Sequence, residues 1–103
     1  MRLEYKETYY DDLDDIAGYI SDCFNENLAQ DIVREIHAGC RITAELPYIG
    51  RKYTRNPYFR VYTVLRKNLL FYHVDEDRQV VVLHRIFDAR RDYCDAVDSI
   101  VES

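Results

Sequence analysis

The sequence predicts a two-layer α+β domain, and three observations carry that prediction. Apolar residues recur at helical spacing from Leu13 to Cys40, and three runs rich in Val, Leu, Tyr and Phe follow between Tyr58 and Phe87. The polar stretches between those runs, Arg66-Lys67-Asn68 and Asp75-Glu76-Asp77-Arg78, are short enough to make the runs antiparallel neighbours. The expected architecture is an N-terminal strand, a helix hairpin packed on a mainly antiparallel four-stranded sheet, and a short C-terminal helix. With 103 residues, 48 % of them hydrophobic, and only 3 Gly and 2 Pro, the chain reads as one domain over 1–103. A domain of that size buries roughly 60–70 % of its unfolded surface.

Each element has its own justification. Leu3 and Tyr5 alternate with Arg2, Glu4 and Lys6, as a short strand over 2–6 requires. Thr8 followed by Asp11 has the form of a capping box, and Leu13, Ile16, Ala17, Ile20, Cys23 and Phe24 then share one helical stripe. Asp11, Asp12, Asp14 and Asp15 crowd the first turns, where the helix dipole favours anions. They project in different directions and are not read as metal ligands, which must converge.

Asn25 and Asn27 break this helix and cap a second, with Gln30 at the capping-box position after Asn27. Its stripe is Ala29, Ile32, Val33, Ile36, Cys40 and Leu46, with His37 at the edge of the core. Pro47 and Gly50 end the helix and open a loop that reaches Pro57. Strands are expected over 58–65, 69–74 and 79–87, and a closing helix over 92–101.

Formal charge is sorted along the chain: −7 over residues 1–50, +6 over 51–91 and −4 over 92–103. Clustered like charges repel unless something outside relieves them, so the central block predicts a face for a polyanion or an acidic partner. Tyr53 and Tyr62 interleave with Arg51, Lys52, Arg55, Arg60, Arg66 and Lys67, and Arg90 and Arg91 follow the last strand. Such mixtures stack bases and pair phosphates, and they equally build protein interfaces. Cys23, Cys40 and Cys94 share no C-x-x-C spacing and are expected as buried reduced thiols, with Cys94 the one open to oxidation. The start carries no apolar signal-peptide core and no run reaches the roughly 20 apolar residues of a membrane span, so a cytoplasmic location without membrane contact is expected. No cofactor is implied.

Strand parity places His84 with Ile86, Asp88 and Arg90, provided no bulge intervenes, and Arg85 with Leu83 and Phe87. If Arg85 lies under the helices its charge needs Asp12 or Asp15.

The succession DLDDIAGYI, LPYIGR and NLLFYHVDEDRQVVVLHRIFDARRDY resembles the RelE/ParE superfamily, the toxin half of bacterial type II toxin–antitoxin pairs, from Asp12 to Tyr93. The most specific stretch is the aromatic strand ending at Asp75, the Arg85-Ile86 strand and the terminal Arg90-Arg91-Asp92-Tyr93.

The resemblance implies a small growth inhibitor of the plasmid-stabilisation kind. An antitoxin encoded by an adjacent gene silences it in a hetero-oligomer, with the basic block as the face for antitoxin or target. RelE-like members cut mRNA at the ribosome, whereas ParE-like members inhibit DNA gyrase. RelE-like toxins often carry arginine where this chain has Leu69, and the superfamily commonly has histidine and glycine where Asp88 and Ala89 stand. Asp88 is therefore read first as an ion-pair partner of Arg90 or Arg91. These departures favour gyrase inhibition. The alternatives are a ribosome-dependent mRNA endonuclease using Arg60, His84, Asp88 and Arg90, and a decayed toxin that only binds its antitoxin.

Overall fold

A computed structural model of the protein describes residues 1–88; the expected closing helix and Cys94 lie outside them. The elements run β1 (Arg2–Tyr5), α1 (Glu7–Cys23), α2 (Glu26–Glu45), β2 (Arg51–Lys52), β3 (Phe59–Val64), β4 (Asn68–Asp75) and β5 (Val80–Asp88). They form one sheet in the order β1-β5-β4-β3-β2, antiparallel except for the β1–β5 pair. The sheet has five strands where four were expected. Arg51 and Lys52, placed in a loop by their sequence, pair with Val61 and Arg60 as a short edge strand.

The two helices pack on one face of the sheet. Their stripe residues Leu13, Ile36 and Cys40 join Tyr9 against Val64, Leu70, Tyr72, Val81, Leu83 and Ile86. Gly39 sits at the closest approach of α2, where an added Cβ would lie 2.5 Å from Val64 Cγ2. Tyr9 and Cys40 are fully buried and share a 3.3 Å contact between hydroxyl and thiol, and desolvation raises both pKa values.

Several local expectations are corrected. Thr8 does not cap α1: the helix starts at Glu7 after Lys6, and the Thr8 hydroxyl donates instead to the His84 carbonyl at 2.6 Å. Asn25, not Asn27, caps α2, accepting from the Leu28 amide at 2.7 Å. Phe24 and Leu46 fall just past the helix ends and are exposed, because the helical period stops before reaching them. Cys23 is likewise exposed.

A bulge between the β4 partners Phe71 and Tyr72 sets the geometry of β5. Phe71 pairs with Arg85 and Tyr72 with Leu83, so His84 is the extra residue and the faces exchange beyond it. Leu83 and Ile86 both face the helices, while Phe87 lies on the other side. The parity expectation therefore fails past His84, although the expected partner of Arg85 is present. Asp12 takes Arg85 Nε at 2.6 Å and Nη2 at 2.9 Å. The same carboxylate accepts the Ile86 amide at 2.9 Å. With Lys6 N donating to Leu83 O and Thr8 donating to His84 O, the start of α1 satisfies the edge of β5 where β1 ends.

Candidate functional site

Among the described residues, the cations of the basic block do not converge on one face. Arg60 and Tyr62 pair with Tyr72 and Leu70, and so lie on the helix-covered side. Arg60 Nη1 donates to the Gly50 carbonyl at 2.8 Å and the Tyr48 carbonyl at 3.3 Å, with its guanidinium 4.8 Å from the Tyr48 ring centre. The buried Tyr72 hydroxyl donates to Pro47 O and accepts from Gly50 N, and the Tyr48 hydroxyl donates to Glu76. Arg60 is thus a brace for the loop between α2 and β2. No sequence signal distinguished that role from phosphate binding, because the acceptors are backbone carbonyls.

Arg51 and Lys52 are exposed on β2, and as successive strand residues they point to opposite sides. Arg55 is exposed in the loop beyond, whereas Tyr53 is buried. Arg66 and Lys67 are exposed in the β3–β4 turn. Among the described residues, Arg51, Lys52, Arg66 and Lys67 have no carboxylate partner. Arg90 and Arg91 lie outside the described residues, as does Tyr93.

The face for a polyanion or an acidic partner predicted from the central block is not found on the sheet opposite the helices, where the described residues are apolar. Phe59 stacks on Phe71 at 4.8 Å, Tyr53 meets the same ring edge-on at 5.9 Å, and Val61, Leu69 and Phe87 complete a buried cluster. Strand alternation in β3 and β4 forces this, since Phe59, Val61, Leu69 and Phe71 all share one side.

At the border of the cluster, His73 Nδ1 and His84 Nε2 stand 2.7 Å apart, and Tyr58 stacks on His73 at 4.8 Å. Burial is the main cause lowering both pKa values, taking that of His84 to about 4, with His73 and Lys6 opposing its protonation further. Both rings are therefore neutral at pH 7. His73 falls in an expected strand but was not among the candidate site residues; its spacing from His84 becomes meaningful only once the register is known.

Of the four residues proposed for nuclease chemistry, Arg90 lies outside the described residues, and the other three do not form one constellation. Arg60 and His84 lie on opposite faces of the sheet, and Asp88 stands at the far end of β5, opposite Asn68. The partners expected for Asp88, Arg90 and Arg91, lie outside the described residues. On the outer side of the helix hairpin, Ala17, Gly18, Ser21, Ala29 and Val33 line a shallow groove. No described helix is long and apolar enough to cross a membrane.

Residues 3–93 match the family described as the ParE toxin of type II toxin–antitoxin system, parDE. This chain belongs to the ParE toxin family. A solved chain from the chromosomal ParDE toxin–antitoxin system of P. aeruginosa superposes with a TM-score of 0.75 at 18 % identity, covering 87 % of this chain and 97 % of that one. The isolated E. coli RelE toxin superposes with a TM-score of 0.55 at 22 % identity, covering 96 % and 97 %. At such identities the likeness is one of fold. No curated protein matches this ParE-family chain in sequence. Two helices on a mostly antiparallel sheet are what the two solved toxins share with it.

Proposed function

We propose that this ParE-family toxin arrests growth by binding DNA gyrase in the cytoplasm, without chemistry of its own and without a cofactor. A cognate antitoxin from an adjacent gene silences it by binding as a hetero-oligomer. The observation that carries this reading is the separation of charge from base. Arg51, Lys52, Arg66 and Lys67, which meet no carboxylate among the described residues, lie on β2 and in the β3–β4 turn, whereas the histidines sit by an apolar cluster near the β1 side. Cleavage by a 2′-OH needs a base, an acid and a cation around one phosphate. A histidine titrating near 4 is a weak base at neutral pH, and Arg60 is occupied by carbonyls.

The competing reading, ribosome-dependent mRNA cleavage, draws on the His73–His84 pair with Lys6 near it. Induced expression separates the two. Gyrase inhibition predicts DNA-damage signalling with intact transcripts, whereas transcripts cut within coding regions before any damage response would establish the nuclease. Absence of growth arrest would identify a decayed toxin.

A further inference from the structure

β3 and β4 are joined by a turn whose central residues adopt backbone angles that side chains resist. Lys67 N donates to Val64 O at 3.4 Å, and the two residues enclosed, Leu65 and Arg66, have φ of 56° and 64°. Positive φ at both central positions is the type I′ pattern, which sequences usually meet with Asn-Gly because other side chains clash there. The first residue of β4 adds a second cost: Asn68 is 6 % exposed, and its Nδ2 has no hydrogen-bond partner among the described residues. Meanwhile Leu65 is 41 % exposed at the apex, beside the exposed Arg66 and Lys67, which meet no carboxylate among the described residues.

The β4–β5 turn provides an internal control. Its one positive-φ residue, Gln79, is tied by its own side chain to Glu76 O at 2.6 Å, and Asp75 accepts from Arg78 N at 3.2 Å. Arg78 in turn meets Glu4 at 2.6 Å and Asp75 at 3.6 Å. One hairpin compensates its costs with its own side chains; among the described residues the other has no such compensation, at the point where it presents an apolar side chain and two cations. Strain kept without an internal partner points to use elsewhere.

We propose that the Leu65-Arg66-Lys67 tip inserts into the toxin's cellular target, with Leu65 entering an apolar recess rimmed by carboxylates on a folded protein. A nucleic acid offers phosphates to the two cations but no socket for an aliphatic side chain. A disordered antitoxin segment gains affinity by wrapping broad surfaces, and a narrow apex presents little area to wrap. A preformed concavity suits the apex better. The inference rests on the reading of this chain as a target-binding toxin and not on which protein the target is.

The test uses the full chain carrying Leu65→Asn with Arg66→Gly, and separately Leu65→Gly, which keeps both cations. Both changes suit positive φ, so Tm should rise by a few degrees in each variant. Potency in growth arrest should fall about tenfold or more, the usual scale for losing an interface anchor. Affinity for the purified antitoxin from the adjacent gene should stay within about twofold, as expected away from an interface. Variants that arrest growth like the wild type, or an unchanged Tm, overturn the proposal. An equal loss of antitoxin affinity also overturns it, making the tip an antitoxin dock. A wild-type chain that arrests growth while gyrase stays active removes the gyrase reading alone, since the growth readout still judges the tip. A wild-type chain that arrests nothing removes both.

Discussion

On the β1 side of the sheet, Arg85 is held by both oxygens of Asp12 and Arg78 bridges to Glu4, while α1 supplies partners for the exposed edge of β5. In the β3–β4 turn, Arg66 and Lys67 meet no carboxylate among the described residues, the turn adopts positive φ without glycine, and Asn68 keeps an unbonded donor. Both regions belong to one sheet, yet among the described residues one is finished by its own chain and the other is not. The contrast separates two kinds of cation: Arg85 ties α1 to the sheet and Arg78 ties the β4–β5 turn to β1, whereas Arg66 and Lys67 meet no carboxylate among the described residues.

Removing a carboxylate from the paired side should produce the largest loss. Asp12→Ala strands the Arg85 guanidinium, whose side chain is 27 % exposed, and frees the Ile86 amide. A loss of about 3 kcal/mol in urea unfolding is expected. A change below about 0.5 kcal/mol would mean that the pairing is ornamental. Gly39→Ala probes the opposite side, where packing rather than charge fixes the sheet to α2. With Val64 Cγ2 at 2.5 Å from the new methyl, a loss of about 1–3 kcal/mol should appear. A neutral result would show that β3 yields easily.

The histidine pair gives a pH test. His84 titrates near 4 when folded against 6.5 as its ordinary value, so the unfolded chain binds more protons between those limits. Stability should therefore be complete above pH 6.5 and fall as the pH drops towards 4. The fall from this ring is about 1–2 kcal/mol, allowing for solvent around a half-buried group. His84→Gln should flatten that part of the curve, and an unchanged slope would assign the effect elsewhere. The smallest effect belongs to the unpaired turn. Arg66→Ala with Lys67→Ala should shift stability by less than about 0.5 kcal/mol, as for exposed side chains generally. A larger loss would reveal an unseen partner and erase the comparison.

Much of the fold was legible in the residues. Helical stripes, β-rich runs and short polar turns act locally, so the two helices and the strands β1, β3, β4 and β5 followed from spacing, and charge narrowed the partner of Arg85 to Asp12 or Asp15, of which Asp12 is the one. The rest depended on register. A single extra residue at His84 exchanges the faces of β5, and nothing in LHRIFD announces it. Arg60 looked like a ligand for phosphate because the carbonyls of Tyr48 and Gly50, its actual acceptors, carry no residue signature. The predicted basic face is not gathered on the sheet opposite the helices because alternation turned Phe59, Val61 and Phe71 onto that side and sent Arg60 and Tyr62 to the other.

The most direct measurement is a gyrase supercoiling assay with the purified toxin, run beside a translating extract in which mRNA integrity is followed. Dose-dependent loss of supercoiling with intact mRNA is the predicted result. Full supercoiling beside ribosome-dependent mRNA cleavage would contradict it.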